Sequence, residues 1–192
     1  QYGFDVSTFQ QYIKYLRDLS HFDLGTSLQA GSPRVTDLIG QRLPWTLVLS
    51  VTTLLISLSI GLLFGTLAAW KRGRWQDAML LNASTISVAL PAFFIALMLS
   101  FYLGFELELF PAYTNPNMVG QFDWSWKAIQ VVFNNAALPI MSMALGGIVG
   151  YSQTTRNSVI AVTNEDFVIT ARAKGLSHTT VLYKHVLRNA ML

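Results

Sequence analysis

The 192-residue chain has no cysteine, which excludes both a disulfide framework and a thiolate metal site and leaves its redox compartment unread. Charge is scarce too: Asp, Glu, Lys and Arg make up 12% of the residues, against roughly a quarter in an ordinary soluble domain. The formal net charge of +3 is too small for a nucleic-acid binder. No GxxxxGK[ST] phosphate loop occurs, so any ATP consumed has to be bound by another polypeptide. His21, His178 and His185 show no paired metal-ligand spacing, so no metal site is expected. The first residues have neither the basic start nor the apolar run of a signal peptide. What is abundant is apolar: 52% of residues are hydrophobic and the mean hydropathy is +0.42, more oily surface than a chain this size hides by itself.

The few charges are spaced in a telling way. The intervals 43–70, 78–105 and 128–155 each hold 28 residues without Asp, Glu, Lys or Arg. A helix needs about 20 mostly apolar residues to cross a hydrocarbon core of about 30 Å, and one charge at its centre costs at least ~2.5 kcal/mol. Uncharged windows of this length are therefore what a bilayer demands. The first span is expected over residues 44–70, with Pro44 in its first turn and Trp45 and Trp70 at its two interfaces. The second is expected over 78–105 as a helix that carries Pro91 as a defect neighbouring helices accommodate. The third, over 128–155, contains Asn134, Asn135, Pro139, Gly146, Gly147 and Gly150 and should be lined by other helices.

Loop charges orient these spans. Residues 71–77, KRGRWQD, hold three cations and one anion, whereas 106–127 holds three anions and the single cation Lys127. The basic loop belongs in the cytoplasm, which puts residues 1–43 and 106–127 outside and 156–192 inside. The outer segments then carry five cations and seven anions, the inner ones eight cations and three anions. Residues 1–43 reach the outside only if another span precedes Gln1, so the chain is expected to begin in the middle of a longer protein.

Within the outer segment, Ser7 with Gln10 fits a capping box, and Phe9, Ile13 and Leu16 recur on one face. That predicts an amphipathic helix from about Thr8 to Leu19, resting on the membrane assembly. In the inner segment, Thr163, Asn164, Glu165 and Asp166 supply cap and acidic first-turn residues for a helix through Val168 and Ala171. Gly175 ends it where positive φ is needed, and Ser177 caps a second helix through Val181, Leu182, His185 and Val186. The residues alone leave two readings of this helix, glycine, helix unit open: a surface hairpin docking into another protein's groove, or an amphipathic linker before a further span.

The stretch NEDFVITARAKGLSHTTVLYKHVLRNAML resembles the cytoplasmic coupling motif, the EAA loop, of permease subunits of bacterial ABC importers of the dipeptide and oligopeptide family. Asp23-Leu24-Gly25-Thr26-Ser27, Arg42-Leu43-Pro44, Pro91 and Leu138-Pro139 extend the resemblance over almost the whole chain. It implies an all-α, polytopic transmembrane helix bundle of the type I importer fold, with three of about six spans present. It further implies a bacterial cytoplasmic (inner) membrane location, a second permease subunit that makes a heterodimer, two ATPase subunits and an extracytoplasmic solute-binding protein. ATP would be used by those partners, with no cofactor on this chain. Carried over by position, the ATPase-coupling residues are Glu165, Asp166, Ala171, Arg172, Ala173, Lys174, Gly175 and Leu176, the small residues permitting close docking. Ile169, His185 and Arg188 depart from the general importer pattern, so no salt bridge is expected from position 169. Peptides are the substrates the resemblance favours; nickel chelates, glutathione and other small solutes are carried by related permeases.

Polar or helix-breaking residues at membrane depth, Asn82, Pro91, Asn134 and Asn135, with Ser84, Thr85 and Gln153 as further polar groups, are read first as helix-packing contacts and second as candidates to line the translocation route. Gly61 with Gly65, and Gly146 with Gly150, have the spacing for close helix approach. Asn82-Ala83-Ser84 fits a glycosylation pattern but falls inside a span. An intramembrane hydrolase is disfavoured because no span holds a His, Lys, Asp or Glu to activate a serine. A noncatalytic scaffold or channel component that merely binds a cytoplasmic partner is the remaining alternative from a different class.

Overall fold

The computed structural model describes residues 7–27, 33–111 and 125–191; the start of the 1–43 segment and most of the 106–127 loop lie outside the described residues. Among the described residues the fold is all-α, with eight α-helices and no strand beyond an isolated antiparallel bridge between Thr26 and Arg34. The helices are α1 (Thr8–Ser20), α2 (Val35–Trp70), α3 (Trp75–Ala89), α4 (Ala92–Leu99), α5 (Trp126–Thr163), α6 (Asp166–Ala173), α7 (His178–Thr180) and α8 (Arg188–Ala190). A π-helical stretch, Ser100–Glu106, continues α4, and another, Val181–Leu187, joins α7 to α8. The described residues divide into two compact units that part between Val48 and Leu49.

In the first unit Ser7 caps α1, its Oγ accepting the Gln10 amide at 3.4 Å. None of the α1 side chains is buried, and Phe9, Tyr12, Ile13 and Leu16 remain exposed along it. The turn Asp23-Leu24-Gly25 closes by donation from the Gly25 amide to Asp23 Oδ1 at 2.9 Å, with Gly25 at φ 70°. The Val35 amide then donates to the Gly25 carbonyl at 3.0 Å as α2 begins.

Helix α2 starts nine residues before the expected span start at 44, so Pro44 sits inside the helix rather than in its first turn. Proline there deletes the amide that would reach the Gly40 carbonyl, but the helix winds through. At about 1.5 Å per residue its 36 residues run about 54 Å, well beyond a hydrocarbon core of about 30 Å. Helix α5, 38 residues with Pro139 inside, is longer still and extends eight residues past the expected span end at 155.

The second unit is organised inside out relative to a water-soluble bundle. The side of α2 that is buried carries Thr53, Ser57, Gly61, Gly65, Ala68 and Ala69, while Val51, Leu54, Leu55, Leu63 and Phe64 are exposed. Small residues let helix backbones approach where lipid removes any advantage from burying leucine. The approach is tight: a Cβ on Gly61 would lie 2.5 Å from Tyr151 Cβ, and one on Gly65 would overlap the Ser152 carbonyl oxygen. On α5 the glycine in contact is Gly147, where a Cβ would lie 2.5 Å from Ser57 Oγ. Gly146 and Gly150, the pair selected by spacing, face open space, because the α5 side that meets α2 also carries Ala144, Ser152 and Thr155. Helices α2 and α5 are each long and apolar enough to cross a membrane.

The 78–105 segment departs from the expected single helix. Leu90 adopts an extended conformation (φ −96°, ψ 119°) because the Pro91 ring disfavours helical geometry in the residue before it. Pro91 also has no amide to continue the ladder, so α3 ends at Ala89 and α4 restarts with a bend of 97° between the two arms. Both arms pack along α5, yet α4 and the π stretch after it bury no side chain.

Candidate coupling surface

Helix α6 begins at the sharp turn after α5. Thr163 still belongs to α5, its Oγ1 donating to the Val159 carbonyl at 2.6 Å, and Glu165 is the N-cap of α6. Contrary to the expected side-chain cap from the 163–166 stretch, no side chain caps this end; the Glu165 carbonyl accepts from Val168 N at 2.9 Å. Glu165 and Asp166 nonetheless place two negative charges at the positive end of the helix dipole.

The other end of α6 is a glycine stop. Gly175 sits at φ 75°, its amide donates to the Arg172 carbonyl at 2.9 Å, and the Leu176 amide reaches back to the Ala171 carbonyl at 3.4 Å. These two bonds form a Schellman motif, which absorbs the last helical carbonyls and requires the left-handed conformation that glycine tolerates. Ser177 then caps the following helix, its Oγ accepting the Thr180 amide at 3.3 Å. Residues 178–190 form one helical rod in which the π-helical stretch carries Val181, Leu182 and Val186 inward.

This hairpin shares a core with the long helices. Val168, Ala171, Val181, Leu182 and Val186 pack with Ala69 of α2 and Val159 of α5, and Trp70, Ile160 and Leu187 close the edges. The Trp70 and His178 rings meet edge to face with centroids 6.0 Å apart. Full burial of a valine or leucine is worth about 1.5–3 kcal/mol, so this cluster fixes the hairpin to the helix ends. Of the residues assigned to ATPase coupling, Ala171 is therefore in the chain's own core and not on a docking face. Its small side chain lets α6 lie close on its neighbours. Glu165, Asp166, Arg172, Ala173, Lys174, Gly175 and Leu176 are exposed. Phe167, Ile169 and Tyr183 are exposed too, so the outward face mixes large apolar side chains with Arg172 and Lys174. Outward-facing aromatic and Arg residues of this kind are the composition of protein interfaces.

An ion pair between a buried carboxylate and a partly buried guanidinium lies at the same end of the unit. Asp77, in the first turn of α3, accepts from Arg156 of α5 through both carboxylate oxygens: Arg156 Nε donates to Oδ1 and Nη2 donates to Oδ2 at 3.1 Å. Oδ2 also accepts the Gly73 amide at 2.9 Å, with Gly73 at φ 79° folding the loop back. Asp77 is 4% exposed. Spacing gives no sign of this pairing, because the residues are 79 positions apart and each marks only the edge of a charge-free window.

The residues assigned to the route are scattered. Asn82 and Pro91 are exposed, Asn134 is exposed on α5, and half-buried Asn135 donates its amide to the Val131 carbonyl of its own helix at 2.8 Å. Ser84 and Thr85 likewise donate to Leu80 and Leu81 carbonyls, at 2.9 and 3.1 Å. Among the described residues no cluster of His, Asp or Glu could hold a metal ion.

The sequence profile described as binding-protein-dependent transport system inner membrane component matches residues 61–192, and the chain belongs to that family. Its relatives include the dipeptide transport system permease protein DppB of Bacillus subtilis, 32% identical over all of this chain and 57% of that protein. The oligopeptide transport system permease protein AppB of the same organism is 33% identical over all of this chain and 59% of that protein. The probable peptide ABC transporter permease protein y4tP of Sinorhizobium fredii is 33% identical over 94% of this chain and 55% of that protein. The chain thus spans a little over half the length of these relatives.

Proposed function

We propose that this chain is part of the permease subunit of an ATP-driven ABC importer that moves di- and oligopeptides across the bacterial cytoplasmic membrane, coupled to ATPase subunits through the 163–190 hairpin. Residues 71–77 and the hairpin face the cytoplasm, while the segments before α2 and after α4 face outward. A second permease subunit completes the pathway, two ATPases consume ATP, and an external binding protein delivers solute. The chain itself is not an enzyme and binds no cofactor. Names of relatives favour peptides over nickel chelates, glutathione or other small solutes.

The observation that carries this reading is the two-faced hairpin: one side is locked into the core with Ala69 and Val159, and the other presents Phe167, Ile169, Arg172 and Lys174. A partner pressing on the outer side moves the ends of α2 and α5 with it, because tightly packed cores transmit displacement. The basic loop supports the orientation, since Trp70 touching His178 joins it to the same end as the hairpin.

The test is purification of the intact permease with its ATPases, followed by reconstituted uptake of labelled peptide. Wild type is expected to retain the ATPases and to take up peptide only with ATP. Gly175→Val forces a β-branched residue to φ 75°, costing about 1–3 kcal/mol in backbone strain, and is expected to lower ATP-driven uptake severalfold. Unchanged uptake in that variant, or a wild-type permease that brings down no ATPase, overturns the reading.

A further inference from the structure

The Asp77 and Arg156 side-chain pair lies outside the hairpin core; the Arg156 backbone borders the small-residue seam at Gly65, and its side chain leaves that seam for α3. We infer that the pair is a transmission clamp: it ties the start of α3 to α5, so that a displacement applied to the hairpin is delivered to α3 as well as to α2 and α5. The inference rests on the coupling role proposed for the hairpin and adds the element through which the α3 arm responds.

Four observations carry it. The hairpin core reaches Ala69 and Trp70 at the end of α2 and Val159 and Ile160 on α5, but it includes no residue of α3. Arg156 lies one helical turn before Val159 and Ile160, so its guanidinium leaves the same section of α5 that the hairpin grips. The carboxylate it holds is anchored a second time by the Gly73 amide, so the loop, the first turn of α3 and α5 meet at one group. Finally, a two-point guanidinium to carboxylate contact fixes orientation as well as distance, which a single apolar contact does not.

Stability alone is a weak reason for such a pair. Withdrawing two charges from water offsets much of their attraction, and well-packed neutral replacements of similar volume are often as stable. Removing one partner is different, since it strands the other charge. A double variant that removes both charges therefore separates a fold-supporting role from a transmitting one.

The experiment uses the full-length permease assembled with its ATPases and solute-binding protein in proteoliposomes. Wild type, Asp77→Asn, Arg156→Lys and the double variant Asp77→Asn with Arg156→Met are compared for thermal stability, ATPase retention and ATP hydrolysed per solute taken up. The double variant is expected to recover the stability that Asp77→Asn loses, yet to hydrolyse about fivefold or more ATP per solute than wild type. Arg156→Lys, which keeps the charge and loses the fork, is expected to fall between the two. A double variant with wild-type stability and a wild-type ratio overturns the clamp.

Spin labels at Arg72 and Leu176 give a readout independent of the ATPases. The distance distribution between them is expected to be narrow in wild type and broad in the double variant, and an unchanged distribution overturns the clamp as well. If wild type retains no ATPase, the coupling role fails on its own, while the label distances still decide whether the pair holds the loop to the hairpin end.

Discussion

The two ends of α3 are built in opposite ways. At its start the chain has a doubly anchored carboxylate, beside the end of α2 and a core of buried valines. At its finish it has an extended Leu90, an exposed Pro91 and an arm, α4, that holds no fully buried side chain. The contrast separates a stiff base, where a partner would push, from a bent region that lies along α5 without a fully buried side chain. A bilayer makes this economical, since apolar side chains exposed to lipid need no protein cover.

Overfilling the seam beside the base should have the largest effect. Gly65→Leu drives a side chain into the Ser152 backbone and should cost about 3 kcal/mol, read as a lower unfolding midpoint of the intact permease in detergent. Thinning the core comes next. Val186→Ala removes two buried methyl groups, worth about 1.5 kcal/mol, and should raise amide exchange in residues 178–190 without altering the α2 and α5 seam. The smallest effect on stability is expected at the bend. Pro91→Ala touches an exposed position and should stay within about 0.5 kcal/mol of wild type, while labels on α3 and α4 move apart as the 97° bend opens. If Pro91→Ala proved as costly as Gly65→Leu, the contrast between the two ends of α3 would be wrong.

How much of this could be read from residues alone follows the range of the interactions. Local chemistry was legible at two of the three expected caps, the side-chain cap from 163–166 being the miss. Ser7 and Ser177 cap where short side chains can reach the next turn, and Gly175 takes the left-handed conformation that its place between two helices requires. The charge-free windows found the apolar stretches, because the penalty for burying charge in lipid acts residue by residue. Helix lengths were not legible: outside the bilayer, polar residues such as Thr36 and Asp37 extend α2 as readily as they would end it. Pro91 was visible, but proline tolerates both a kink and a complete break, and the neighbours of Leu90 decide which. Contacts between distant residues were invisible. Nothing distinguishes Gly147, which meets Ser57, from Gly146, which meets nothing, and Ala171 carries no mark of facing inward. Asp77 and Arg156 are the extreme case, two ordinary charges whose partnership exists only once α3 lies against α5.

The seam of α2 has a further implication for how this protein tolerates sequence change. Wherever Leu54, Leu55 or Leu63 meets only lipid, almost any other oily residue serves, so these bulky positions should drift freely. Gly61 and Gly65 have no such latitude, because even one added carbon collides with α5. A saturation scan of α2 should therefore invert the profile of a water-soluble helix, its largest residues replaceable and its smallest nearly immutable.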